Sequence, residues 1–432
     1  MSAPLTRKAR VWRVRILAST WLSYAGLYFC RKNFAIAKSS ILDNLDITKT
    51  ELAHIFTAYL IAYMVGQYLT GFVGRKVATR ILLLTGMAVS IGCNVVFGFS
   101  YLMGPAGYAP LLIFMIINGF AQASGWPGNI GILSNWLRRK ERGRVVAMWA
   151  TSYQLGSVLA KTFAAFMLGA FGAVWSFWGA SIVLFGIWIL FYLFERDNPE
   201  DVGLDPIVEE VEVEVPVDQA PADQVRTSGL FEGWTRNTIL TVVTMGGCYF
   251  VFKFLRYALD SWSPLAIEEL FAMEAAHAGY ISTLFDWVGF LGVIVGGFAT
   301  DRIFRGKRYQ TIVIMTVGMF AAFIFLTFVG VQSVWLFGVG LALCGFMLMG
   351  PDSLLSGVGA IDVGGRKGAV VAAGIINGTG SIGPIFQEEI IGRVLDRWGY
   401  QASLYLLIGV AFAGILGTSY LASRSRRKLS VL

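Results

Sequence analysis

The chain has 432 residues, 56% of them hydrophobic and only 14% charged, with a formal net charge of +8. A soluble domain carries about 25% charged residues, so this composition excludes a water-exposed globule and points to lipid as the main solvent. The positive balance is not a nucleic-acid footprint, because the lysines and arginines recur in loops between apolar windows rather than forming one patch.

Arg7, Lys8, Arg10, Arg13 and Arg15 lead straight into a first apolar window near 14–37, with no cleavable signal peptide apparent. Further windows of about 20 residues, the length that crosses a bilayer core, recur along the chain. They fall near 50–74, 79–100, 108–136, 142–170 and 174–195, then 238–264, 276–300, 311–330, 334–360, 367–392 and 400–422. The pattern predicts an all-α membrane protein of twelve spans. Arg75, Lys76 and Arg80 follow the second span, "RRKER" (138–142) the fourth, Arg302, Arg305, Lys307 and Arg308 the eighth, Arg366 and Lys367 the tenth, and "RSRRK" ends the chain. Basic clusters on alternate loops predict that both termini are cytoplasmic.

One long polar stretch, 196–236, is acidic and contains proline, and it divides the spans six and six. It reads as a cytoplasmic linker between a helical bundle at 1–195 and another at 237–432. The halves echo each other. "ERGRVVAMWATS" (141–152) matches "RKGAVVAAGIIN" (366–377) at an offset of 225 residues. Arg31 in "LYFCRKNFAI" and Arg256 in "VFKFLRYALD" stand at that same offset. A parallel repeat of six spans implies a pseudo-two-fold axis along the membrane normal, with the two arginines facing across it.

A charge at the centre of a spanning helix costs about 2.5–3.5 kcal/mol, so such residues face a cavity or a partner. Arginine's planar fork suits bidentate contact with phosphate or carboxylate. Tyr24 and Tyr28 precede Arg31 on one helical face, and Tyr257 adjoins Arg256. The alternative is an internal ion pair, with Asp260 four residues after Arg256 or Asp286 in span 8 as partner. Lys32 is rotated about 100° from Arg31 and reads as facing headgroups or a neighbouring helix. Lys161 and Lys253 are deep enough to line a cavity, but their direction is open. Glu388, Glu389 and Asp352 read as proton-coupling groups or as partners of these lysines. Cys30, Cys93, Cys248 and Cys344 read as small buried thiols, and no nucleophile–base pair or metal cluster emerges. No enzyme, cofactor or metal is expected.

Several motifs resemble those of one family, the organophosphate:phosphate antiporters of the major facilitator superfamily. "YFCRKNFAIA" is similar to its first-helix motif, "NGFAQASGWPG" (118–128) followed by "KERG" (140–143) to its fourth, and "RDNPEDVGL" (196–204) to the sequence after helix 6. "LRYALDSWSP" (255–264) is similar to the seventh-helix pattern and "GFMLMGPDSLLSG" (345–357) to the tenth. The resemblance implies a major facilitator fold of two pseudo-symmetric six-helix bundles. It places the family's phosphate-gripping arginines on Arg31 and Arg256, and its cavity tyrosines on Tyr24, Tyr28 and Tyr63. A family glutamate in span 8 falls on Asp286.

The departures fall at the site itself. Gln67 stands where the family usually has a lysine, and Tyr153 where several members have a histidine. Lys253 and Lys161 replace uncharged residues, so the third cation moves from helix 2 to helix 7 or 5. A third cation would favour a phosphorylated acid as substrate. The first-half "GFVGRK" lacks a loop aspartate that Asp301 supplies in the second half. The expected function is exchange of an organic phosphate for inorganic phosphate across the inner membrane, by a monomer in the lipid bilayer with no nucleic-acid partner. Arg31 and Arg256 would hold the phosphoryl group, with Tyr24, Tyr28, Tyr63, Tyr153, Gln67, Lys253 and Lys161 around it, and Asp260, Asp286, Asp352 and Glu388 as coupling or ion-pair groups. The alternatives are a proton-coupled carrier of another organic anion and a transporter-like sugar-phosphate sensor.

Overall fold

A computed structural model describes residues 6–73, 77–137, 145, 148–206, 235–305, 307–356 and 360–427. The basic run at 138–142, Arg75, Lys76 and most of the acidic stretch (207–234) lie outside the described residues, as do the side chains of Arg366 and Lys367.

Span 1 is a single helix, Arg7–Ile36, started by Thr6, whose Oγ1 accepts from Ala9 N at 3.2 Å. Thirty residues rise about 45 Å, more than the roughly 30 Å hydrocarbon core, so the basic first turns project from the lipid. A short helix, Lys38–Leu45, continues it. Spans 2 and 3 are Lys49–Val73 and Thr79–Leu102. Span 4 is two helices, Tyr108–Gln122 and Gly125–Trp136. The second begins at the "GWPG" run, where Pro127 lies in the first turn and has no N–H to leave unpaired. Spans 5 and 6 are Thr151–Phe171 and Ala173–Phe194.

Span 7, Arg236–Phe271, is 36 residues long. Span 8 is divided into Ala275–Ser282 and Leu284–Phe298. Spans 9 and 10 are Arg308–Phe328 and Val334–Leu354. Helical conformation then runs over Ala360–Arg426, 67 residues, about 100 Å if straight. It is not straight. Gly399 takes φ +73°, a left-handed conformation open to glycine at no steric cost, and divides the run into spans 11 and 12.

Ten stretches among the described residues are long and apolar enough to cross a membrane. The last of them, Gly374–Arg426, has length for two crossings, and span 1 completes the twelve. The chain is an all-α, multi-pass membrane protein of two six-span halves. Each half has its own apolar core, around Phe34, Phe97 and Phe177 in the first and around Phe252, Phe285 and Phe337 in the second. Large apolar side chains such as Ile182, Phe185 and Trp335 stand exposed, as a lipid-facing surface requires.

The stretch after span 6 begins as folded chain. Pro199–Val202 forms a 3₁₀ turn closed by a capping box between Asn198 and Asp201. Trp136 Nε1 donates to the Arg196 carbonyl at 2.9 Å, so residues just past 195 pack on the first half.

Candidate functional site

Three side-chain amides fix the turn that carries Arg31. Asn94 Nδ2, Asn118 Nδ2 and Gln122 Nε2 all donate to the Cys30 carbonyl, at 3.1, 3.2 and 3.1 Å. Asn33 Nδ2 donates to Asn94 Oδ1 at 2.7 Å, and Phe34 N donates to Asn33 Oδ1 at 2.9 Å. This buried amide cluster ties spans 1, 3 and 4 together immediately beneath the arginine. A network of satisfied polar groups in an apolar bundle holds one geometry.

From that turn the Arg31 guanidinium crosses to the second half, where Nη2 donates to Tyr257 Oη at 3.1 Å. Its carbon lies 4.8 Å from the Tyr63 ring centroid, 5.5 Å from Tyr59 and 5.7 Å from Tyr28. Arg256, next to Tyr257, is half-buried; its Nη1 is 3.3 Å from Asp352 Oδ2 and its guanidinium 5.9 Å from the Tyr153 ring. The corresponding turns of spans 1 and 7 therefore meet, with a cationic fork on each side and tyrosines around both. Arg31 has no carboxylate within ion-pair distance among the described residues.

The other residues singled out from sequence separate into two groups. Tyr28, Tyr63 and Tyr153 stand at the arginines. Lys253 Nζ donates to Ser381 Oγ at 3.2 Å and lies 4.9 Å from the Tyr249 ring, paired with neither Asp260 nor Glu388. Gln67 lies one turn beyond Tyr63 on span 2, half-buried. Tyr24 is enclosed instead by Tyr28, Trp126 and Trp149, inside the first half.

Asp260 departs from the sequence reading. It does not pair with Arg256 four residues before it, which turns to Asp352. Asp260 accepts from Lys32 across the interface and lies 2.5 Å from Lys161 Nζ. Lys161 is wholly buried and also lies 2.7 Å from Asp286, whose other oxygen is 3.4 Å from Ser157 Oγ. Lys32 therefore faces the second half rather than headgroups, and Lys161 is committed to two carboxylates.

A second buried pair joins the halves further along. Lys38 Nζ sits 2.5 Å from Glu388 Oε1, 2.8 Å from Ser261 Oγ and 3.5 Å from the Trp262 ring centroid. Trp262 Nε1 and Ser261 Oγ also donate to Glu388, at 2.9 and 3.1 Å. Beyond it, Lys49 Nζ is 2.6 Å from Glu269, His54 is 3.3 Å from Glu389, and Gly392 packs on span 2. A Cβ at Gly392 would lie 2.6 Å from Ala53 Cβ, so only glycine permits this approach. These contacts seal the end of the molecule away from the termini. Lys38 escaped the sequence reading, although it lies seven residues after Arg31, two turns along.

At the terminal end, Glu195 is buried beside Arg80, whose Nε is 3.4 Å from Oε2. Burial, reinforced by the neighbouring Asp197, pushes its carboxyl up to about 8.

Residues 20–388 match the model of the Major Facilitator Superfamily. The chain belongs to that superfamily. Among its superfamily relatives, the glycerol-3-phosphate transporter of Bacillus subtilis is 28% identical over 410 residues, covering 94% of this chain and 91% of the relative. A probable hexose phosphate transport protein of Chlamydia muridarum is 26% identical over 95% of this chain and 91% of its own. The membrane sensor protein UhpC of Escherichia coli is 28% identical, over 94% and 91% respectively. A crystal structure of a D-xylose–proton symporter shares the fold, with a TM-score of 0.71 and 13% identity over 94% of this chain and 96% of that one. A POT family transporter in complex with 5-aminolevulinic acid gives 0.73 at 13% identity over 95% and 96%. The superfamily assignment makes this chain a transporter rather than an enzyme.

Proposed function

We propose that the chain carries a phosphate monoester across the cytoplasmic membrane, exchanging it for inorganic phosphate by alternating access of its two halves. The observation that carries this reading is the Arg31–Tyr257 hydrogen bond, which brings two cationic forks from opposite halves to one place. Such forks suit the oxygens of a phosphoryl group, and phosphate-carrying relatives at 26–28% identity support the assignment. A ligand held by both halves biases their relative position only if it binds one arrangement better. With the basic loops cytoplasmic, the termini are inside and the sealed end is outer. The protein works as a monomer.

Reconstituted vesicles loaded with phosphate should take up a hexose phosphate or glycerol phosphate several-fold faster than empty vesicles, with or without a proton gradient. Uptake into empty vesicles driven by the gradient alone would replace this reading with proton symport. The equal similarity to a sensor supports a second reading, in which the same site reports a sugar phosphate. Binding without any vesicle uptake would select it.

A further inference from the structure

Among the described residues, the interior charges where the two halves meet fall into two sets. In the first, Lys32, Lys38 and Lys161 are matched by Asp260, Asp286 and Glu388, three against three, each within ion-pair distance of at least one opposite charge. At the site, Arg31, Arg256 and Lys253 face a single carboxylate, Asp352. That set is neutral, and the site holds two positive charges in excess.

Asp352 is buried on span 10, adjacent to Pro351, with Oδ2 turned to Arg256 and Oδ1 without a hydrogen-bond partner among the described residues. Lys253 stands three residues before Arg256 on the same helical face, held among the described residues by the neutral Ser381 hydroxyl and the Tyr249 ring. Counting cations alone, the site would suit a trianion. The buried carboxylate changes that count.

We infer that Asp352 and Lys253 act together as a charge selector: Lys253 offsets Asp352, and the pair sets the site to accept a dianion. A phosphate monoester near neutral pH carries close to two negative charges. The selected cargo is then a monoester whose body is uncharged and hydroxyl-bearing, matched to the Tyr28, Tyr63, Tyr153 and Ser381 hydroxyls. A phosphorylated carboxylic acid would bring a third negative charge into a partly buried place with nothing to neutralise it, and is rejected. This role rests on the phosphate reading above.

The test measures equilibrium binding of glucose 6-phosphate, 3-phosphoglycerate and inorganic phosphate to the full-length purified protein at one pH and ionic strength. The readout is the ratio of phosphoglycerate affinity to glucose 6-phosphate affinity. Asp352→Asn should raise that ratio about tenfold or more, the scale of one unit charge in a partly buried site, and Lys253→Gln should lower it comparably. The double variant should return the ratio to within about threefold of the wild type, because its net charge is restored. Asp352→Glu and Lys253→Arg keep both charges and should leave the ratio near the wild-type value, which separates charge from fold. Unchanged ratios in both single variants, or a double variant that does not recover, would overturn the selector even if phosphate binds. Wild-type protein that is monodisperse yet binds none of the three ligands would overturn the phosphate reading and the selector with it.

Discussion

Asp396 of span 11 caps the first turn of span 2. Its Oδ1 accepts from Lys49 N at 3.1 Å and its Oδ2 from Thr50 N at 2.8 Å, and the Thr50 hydroxyl donates to the same carboxylate. A helix start leaves orphan N–H groups and a partial positive charge, and here the opposite half of the molecule satisfies both. The cap therefore exists only while the seal is closed. Losing such a cap costs about 0.5–2 kcal/mol, several-fold in an equilibrium between closed and open states. In an Ala53→Cys background, where the thiol lies under Gly392, Asp396→Ala should speed labelling by a membrane-impermeant maleimide about fivefold. Equal labelling rates with and without Asp396 would show that the cap does not hold the seal.

Arg31→Lys and Arg256→Lys should each reduce phosphate exchange by at least about a hundredfold, with insertion and thermal unfolding close to wild type. Lysine keeps the charge but presents no planar fork, so two-point contact with phosphoryl oxygens is lost. Near-normal exchange by either variant would remove that arginine from the grip.

Lys38 and Glu388 are both wholly buried, and their attraction offsets a large desolvation cost. Glu388→Gln leaves an ammonium without its carboxylate and should destabilise the protein by about 3–5 kcal/mol. Lys38→Met with Glu388→Gln removes both charges and should recover most of that loss. Thermal unfolding in detergent measures both. A single variant as stable as wild type would mean that water already reaches the pair.

Glu195 gives a pH dependence of definite sign. Its carboxyl is ordinarily near 4.5 and is pushed up to about 8 in the folded chain, first by burial and then by Asp197. Between those values the folded state holds a proton that the unfolded chain has released, so stability falls as pH rises through that window. Glu195→Gln stays neutral and should remove that component of the decline, unfolding at a higher temperature than wild type at pH 8. Parallel wild-type and variant curves from about pH 5 to pH 8 would mean that Glu195 does not titrate there.

Much of this architecture was legible beforehand. Lipid-length windows located the spans, because hydropathy over about 20 residues is a one-dimensional property. Arg31 and Arg256 stood out because a guanidinium in an apolar helix demands an explanation. The choice between partners was not legible. Asp260 is at helical distance from Arg256, yet Lys32 and Lys161 arrive from the other half and hold it, while Asp352 takes the arginine. Spacing reports neighbours on one helix; it does not report what a helix packed 228 residues away presents. Lys38 went unnoticed because "AKSSILDNLD" reads as the polar end of a span, whereas its helical turns fold beneath the second half. The amides on the Cys30 carbonyl had a signal in hindsight, since Asn94, Asn118 and Gln122 all interrupt apolar spans.

The lysines and carboxylates paired between the halves also bear on what membrane voltage does to this protein. A potential of 100 mV acts on each unbalanced elementary charge with about 2.3 kcal/mol. The three cations belong to the first half and the three carboxylates to the second, so a step that parts them displaces opposite charges separately, and the field acts on each half according to how far its charges travel along the membrane normal. Under the proposed exchange, a dianion seated between the arginines would cancel the excess of two charges at the site, so the site itself would carry no net charge through reorientation. On that reading the loaded site adds no voltage dependence of its own, and what polarisation does to the carrier comes from the charged pairs that the two halves divide between them.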